Sequence, residues 1–550
     1  MRVISRPAAG DAIRRLLLAW LLTGAIQYTC LPAPERVLSG FSALTGQSFP
    51  LLLVGTAASF ALLTLAGLRW RTARWERAAL PVCFGWQLAL GLRASWSVPL
   101  FCAGLLVLAL LTVYAVRGAR TGAEALVAVP ARTGRRAGLI IVIIAAAVFL
   151  VAVLALTVFR VLSYAAPTYD FGIFSQMFHS MRTTGLPVTT CERDRVLSHF
   201  AVHVSPIYYL FLPFYALFPS PVTLEVLQAL LLASAVIPLW RIARRHGLSG
   251  VTAGLLCALL LLWPAYAGGT SYDVHENKFL TPLLLWLFDF LDRRCVWGVA
   301  LFSVLTCMVK EDAPVYVAVI ALWVVLRALT RTGAERRWGL LTGGAMLVGA
   351  VGYFLGVTAW LAADGDGVMS YRYSNFLYDG SDSLFTVIKA VLLSPVRTLW
   401  ECFEGEKIAF FFLTMGPLLF LPLCTRRYER LVLLIPFLLV NLMSDYTYQH
   451  SIFFQYTYGS AACLFYLTAV NLAELPRVWN RPALAATAAL GGRVLLREHP
   501  AALRELCQPL FRLPRGLAGD GRRAGPHPGR CERHGHDLPD RAAVAARRAL

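Results

Sequence analysis

The sequence predicts an all-α polytopic membrane protein, with about fifteen transmembrane helices and short helices in the loops of its outer face. Hydrophobic residues fill 58% of the 550 positions and charged residues only 15%. Mean hydropathy is +0.62. The apolar runs are continuous and do not alternate with period two. Only helices and closed barrels cross lipid, so these runs read as helices.

The net charge of +20 sits largely in short Arg clusters between apolar runs. That pattern is topological and predicts a plasma-membrane protein with no nucleic-acid partner. The twelve Cys show no CxxC spacing, so neither a metal site nor a disulfide framework is expected. Arg2, Arg6, Arg14 and Arg15 precede the first run, residues 16–31, which lacks a small-residue cleavage site. It reads as an uncleaved first span with a cytoplasmic N-terminus.

Residues 50–68 return to the inner cluster Arg69, Arg71, Arg74 and Arg77. Runs 80–92 and 98–116 form an out-and-back pair ending in Arg117, Arg120, Arg132, Arg135 and Arg136. Residues 1–137 thus form a four-span module and basic linker, without a polar constellation. A core, 138–490, follows. Run 138–164 leads outward, and the next inner signal is Arg241, Arg244 and Arg245. Two runs lie between them, 201–218 and 222–240. If both spanned, that cluster would fall outside. Run 201–218, broken by Pro206 and Pro213, is therefore predicted to be re-entrant or interfacial on the outer side. Runs 251–267, 279–291, 296–309, 315–329, 338–363, 408–423, 431–443 and 452–472 alternate from there. A last span begins at Pro482.

The outer loops collect Asp170, Glu192, Asp194, His199, His203, Asp273, His275, Glu276, Lys310, Glu311 and Asp312. Tyr371, Arg372, Tyr373 and Asn375 join them from a long polar loop, residues 364–407. Charges beside hydrocarbon are costly and mark function. Asp170 opens a short helix whose Phe171, Phe174 and Phe178 share one face, predicted to lie on the membrane surface. It reads either as a helix N-cap or as an acid–base group. His275-Glu276 reads as a cap or a site, and Lys310 as a snorkelling side chain paired with Glu311 or a ligand-binding cation. Arg193 and Arg195 read as solvated loop charges. His199 and His203, four apart, would need further ligands to hold a metal. No cofactor is identified; a divalent metal is possible but not indicated.

The segments YDFGIFSQ, SHFAVHVSPIYYL, PSPVTLEVLQALLL, YDVHENKF and VKED resemble, in order, a bacterial family of uncharacterised multi-spanning membrane proteins distantly similar to GT-C glycosyltransferases. The resemblance covers roughly residues 138–481. It implies a GT-C-like core acting on the cell envelope, with a polyprenyl-phosphate sugar donor among its membrane-lipid partners. It also implies Asp170 as general base. Lys310, helped by His203 or His275, would hold the lipid phosphate. His199, Asp273, Glu276, Glu311 and Asp312 complete the expected substrate-binding set. A transporter or lipid flippase is the alternative; it predicts charges midway through spans and broken helices in paired halves. A structural scaffold is the third reading.

From residue 491 to 550 Arg, Pro, Gly, Ala and His dominate, and no Lys follows Lys407. Two readings stand: a disordered basic tail, or a one-base frame error in a GC-rich gene. Back-translating residues 531–536 as TGC GAG CGT CAC GGC CAC and reading one base later gives Ala-Ser-Val-Thr-Ala. On either reading His534 and His536 are not metal ligands. Resequencing codons 480–550 from genomic DNA is expected to reveal the displaced base; an unbroken frame there leaves the disordered tail.

Overall fold

The computed structural model describes residues 9–117 and 134–475, apart from 71, 167, 168, 271 and 368. The tail beyond 491 and the span expected from Pro482 lie outside the described residues.

The fold is helical apart from one two-residue ladder. The N-terminal module holds α1 (Ala9–Cys30), α2 (Phe49–Arg69), α3 (Ala73–Ala94) and α4 (Val98–Arg117). The core begins with α5 (Arg135–Leu162) and α6 (Tyr169–Thr184). Next come α7 (Pro221–Arg245), α8 (Gly250–Leu262), α9 (Leu280–Asp292) and α10 (Val296–Cys307). Then follow α11 (Pro314–Leu329), α12 (Gly333–Asp364), α13 (Leu384–Leu393), α14 (Pro395–Cys402), α15 (Lys407–Met415) and α16 (Tyr458–Glu474).

Among the described residues α2, α5, α7 and α12 are long and apolar enough to cross a membrane. Ile140, Ile143, Val148 and Val151 of α5 and Leu341, Val348 and Leu355 of α12 are exposed. Apolar faces this bare suit lipid rather than water. The expected fifteen spans are not confirmed. At 1.5 Å per residue a span needs about 20 residues, and α8, α9, α10 and α11 fall short. The breaks have local causes. Trp263-Pro264 ends α8, because proline disfavours helix in the residue before it. Gly416-Pro417 closes α15, and Leu419 and Phe420 then reverse the chain with φ of 50° and 53°. Residues 431–443 wind around Pro436 as a 3₁₀ turn and a π-helix instead of one span.

Run 201–218 folds as two short pieces, Pro206–Leu210 and Leu212–Leu217, so it does not span. Helix α6 departs from expectation. Phe171, Phe174 and Phe178 are buried in the protein core, where the Phe178 ring meets Tyr208 at 5.5 Å. The apolar stripe found protein, not lipid. The long polar loop is also more structured than expected: α13 and α14 lie within it.

The core has two chemically distinct ends. At one, Arg241 and Arg245 reach Asp289 at 3.0 and 2.8 Å. Arg294 meets Glu335 at 2.8 Å, and Arg430 meets Glu474 at 2.7 Å. These residues mark where α7, α9 and α16 finish and α12 starts. The loops holding the candidate site lie at the opposite ends of the same helices.

The N-terminal module has its own polar centre, which the sequence did not disclose. Nε of Arg14 and of Arg15 donates to Glu76 at 2.7 and 2.9 Å, and all three side chains are buried. The module docks on α13 and α14. Trp20 donates to the Leu392 carbonyl at 2.8 Å. Arg397 donates to the Gly40 carbonyl at 3.0 Å, between the rings of Phe41 and Phe376. Its other face pairs with Glu401 at 2.9 Å, and Glu401 accepts from Asn375 at 2.8 Å. Replacing Arg397 by Ala strands the buried Glu401 carboxylate, and losing one partner of such a pair costs about 3–5 kcal/mol. The expected outcome is a clearly lower unfolding midpoint of the detergent-solubilised protein; an unchanged midpoint would show that the clasp contributes nothing.

Candidate functional site

The site forms where the loop after α5, the loop before α9, the turn before α11 and the turns before α16 converge. The ladder of β1 (Val188–Thr189) and β2 (Leu197–Ser198) closes the first loop, pairing Val188 with Ser198. It sets His199 against Glu192, with Nδ1 3.0 Å from the carboxylate. His203 instead meets Glu311 at 2.9 Å, whose second oxygen accepts from the Val204 N–H at 3.2 Å. The two imidazoles lie 6.0 Å apart, yet each serves its own carboxylate. Arg193 and Arg195 are not merely solvated: both reach Asp366, at 2.9 and 2.7 Å.

Lys310 and Glu276 are both fully buried, 3.0 Å apart, and the Tyr208 hydroxyl donates to Glu276 at 2.8 Å. Lys310 therefore neither snorkels nor pairs with its neighbour Glu311. Burial works to lower its ammonium, but the charges of Glu276, Glu311 and Asp312 together outweigh it, so the group stands above its ordinary value. Desolvation alone would raise the Glu276 carboxyl; His275 and Lys310 beside it hold it well below the usual range. Burial pushes the His275 imidazole well down. Its Nδ1 accepts from the Asn277 N–H at 3.3 Å, so the capping role is realised, and its Nε2 lies 3.1 Å from the Gln455 amide. Desolvation would raise Glu311, but His203 and Lys310 press its carboxyl down to about 2. Asp312 is half-buried, and its carboxyl is raised by desolvation, with Glu311 adding to the rise.

Asp170 stands in the first turn of α6, half-buried. Its Oδ2 accepts from the Tyr272 hydroxyl at 2.6 Å. Burial and the Asp170 charge push the Tyr272 phenol up, so tyrosine remains the donor and fixes the carboxylate. Asp273 is buried on the other side of this loop, within the electrostatic reach of Glu225 and Lys278. The loop is pinned from α7: Glu225 accepts from the Val274 N–H at 2.8 Å and Gln228 from the His275 N–H at 3.1 Å.

Arg372 completes the centre. Its guanidinium is buried over the rings of Tyr446 and Tyr456, at 5.2 and 5.3 Å. Its Nε makes no hydrogen bond among the described residues. Asp445 N–H and Ser444 Oγ donate to its carbonyl at 2.8 and 3.1 Å. Ring contacts link Arg372 to Asp170: Tyr272, which holds Asp170, meets Phe454 at 5.3 Å, Phe454 meets Tyr448 at 4.4 Å, and Tyr448 meets Tyr446, beneath Arg372, at 5.0 Å. The arrangement can accept a proton at Asp170 and bind an anion at Arg372. Among the described residues no cluster of three or more His, Cys, Asp or Glu could hold a metal. Tyr208, Tyr272, Tyr446 and Tyr456 were not singled out from the sequence. The tyrosine-rich stretch 446–458 was the available signal.

Lys310→Met is expected to cost about 3–5 kcal/mol by leaving Glu276 buried without its cation. Combining it with Glu276→Gln should recover most of that. Thermal unfolding of the single and double variants measures the coupling; strictly additive losses would mean the pair does not interact.

No curated protein and no solved structure matches the chain. The sequence profile of the DUF2079 family, described as predicted membrane protein, matches residues 160–491. That stretch covers α6 to α16 and every residue of the candidate site. It is more than half of the chain, and the chain therefore belongs to the DUF2079 family of predicted membrane proteins.

Proposed function

We propose that this protein is a plasma-membrane glycosyltransferase, GT-C-like in its core, that moves a sugar from a polyprenyl-phosphate donor to an envelope acceptor. The observation that carries the proposal is Asp170, half-buried and oriented by Tyr272, joined through the Phe454, Tyr448 and Tyr446 rings to the buried Arg372 cation. Asp170 takes the proton of the acceptor hydroxyl. The freed oxygen bonds to the anomeric carbon as the sugar–phosphate bond breaks. The bonding pair leaves on the lipid phosphate, whose charge Arg372 and His203 stabilise. Lys310, committed to Glu276, positions this centre rather than touching phosphate. The Arg-rich opposite end supports a cytoplasmic assignment for that end and an outer-face assignment for the site.

A transporter or lipid flippase is the second reading. The broken stretch from α15 through the π-helix at Phe437–Leu442 favours it, since broken helices line transport sites. The buried Lys310–Glu276 pair weighs against it, because an internally matched pair offers no free charge to a passing ion.

The test is transfer from labelled polyprenyl-phosphate sugars in membranes holding the full chain. Loss of a general base costs about 10²–10⁴-fold in rate, so Asp170→Asn should fall by that factor while donor binding persists. Arg372→Gln should weaken donor binding. Transfer that survives in Asp170→Asn would remove the carboxylate from the chemistry.

A further inference from the structure

Between α11 and α12 lies an apolar groove of about 300 Å³. Pro314, Ala318 and Leu322 line one wall, and Leu347, Ala350 and Phe354 the other. Ala318 and Ala350 are small, so the two helices leave a furrow there. Leu322 and the adjoining Val351 are exposed along it, so the furrow is open on the lipid side. Its upper end is Pro314, two residues beyond Asp312 and three beyond Glu311, which holds His203. The Pro314 end of the apolar furrow thus stands two residues along the chain from the charged turn that holds Asp312.

We propose that this groove seats the hydrocarbon chain of a lipid phosphate whose head lies at the His203, Asp312 and Arg372 end. The proposal rests on the lipid-linked-phosphate reading above and names where the chain goes. Three points on the molecule favour a single chain tethered by its head. The volume is at the small end of the ~300–1,000 Å³ of ligand pockets, which suits one chain segment rather than the two of a glycerolipid. The lining is apolar, so it accepts no headgroup. Within a bilayer an apolar furrow gains little by exchanging one tail for another, so selectivity must come from charge at its end. The buried Arg372 guanidinium, with an unpartnered Nε, is the complementary cation for a phosphate.

The probe is a polyprenyl phosphate carrying a photoreactive diazirine on its hydrocarbon chain, a few isoprene units from the phosphate, added to the detergent-solubilised full chain. Adducts are expected on the peptides of α11 and α12. They should be competed by unlabelled polyprenyl phosphate and not by phosphatidylglycerol. Ala350→Trp fills the furrow from its α12 wall and should lower labelling about tenfold, the factor that 1.4 kcal/mol of affinity carries. Ala318→Phe fills the opposite wall and guards against a variant that folds poorly. Equal competition by phosphatidylglycerol would identify only a boundary lipid and overturn the proposal, as would adducts elsewhere or none. Groove labelling without sugar transfer from any donor would sink the transferase and leave the groove standing. Transfer without groove labelling would do the reverse.

Discussion

The Lys310–Glu276 pair is the constraint on which the site end depends. Two opposite charges, both out of water, sit 3.0 Å apart. Such a pair is not a general source of stability, since desolvating two ions costs about as much as their attraction returns. What it enforces is position. Glu276 opens the run into α9 and Lys310 closes the run out of α10, so two loops must meet at one point or leave a bare charge buried. Tyr208 supplies a second bond to Glu276, from the 206–210 turn. The loop before α9 is then fixed at both edges, by Glu225 and Gln228 from α7 and by Lys310 from the turn before α11. Tyr272 belongs to that loop, and Tyr272 holds Asp170.

The N-terminal module reaches the same centre by a longer route. Arg397 takes its anchor from Gly40, stacks between two rings and pairs with Glu401. Glu401 accepts from Asn375, which also donates to the Met443 carbonyl at 3.2 Å. Asn375 lies three residues from Arg372. The module falls outside the matched family stretch, yet it leans on the segment that presents the buried cation. It thus adds support at a distance without contributing a group to the site.

Much of this was legible because charge near a membrane is expensive and therefore sparse. The Arg clusters pointed to the two-ended arrangement, and their parity predicted that run 201–218 does not cross, where the chain forms two short pieces. The residue types that meet at the site were visible as well. Their partnerships were not. Lys310 and Glu311 are neighbours in sequence but point to Glu276 and His203, since a turn sends consecutive side chains in different directions. The phenylalanine stripe of α6 showed an apolar face and could not say whether lipid or protein would cover it. Runs 408–423 and 431–443 looked like spans by composition. Gly416-Pro417 and Pro436 carried the signal that they are broken, a local backbone constraint that a hydropathy count does not weigh.

Burial grades the charged groups into two kinds. Glu276 and Lys310 are closed off by each other, and His199 by Glu192 and the core, so these groups serve to hold geometry. Asp170, His203 and Asp312 keep partial exposure, and Arg372 keeps an uncommitted donor atom. Fixed dipoles and charges act most strongly where they need not reorganise and where water is thin. A rigid inner layer of matched charges beneath a half-open outer layer meets both conditions. The groups left free to meet a ligand at this end therefore belong to the outer layer. The inner layer explains why the outer groups stay where a ligand would need them, even though most of the surrounding chain is loop.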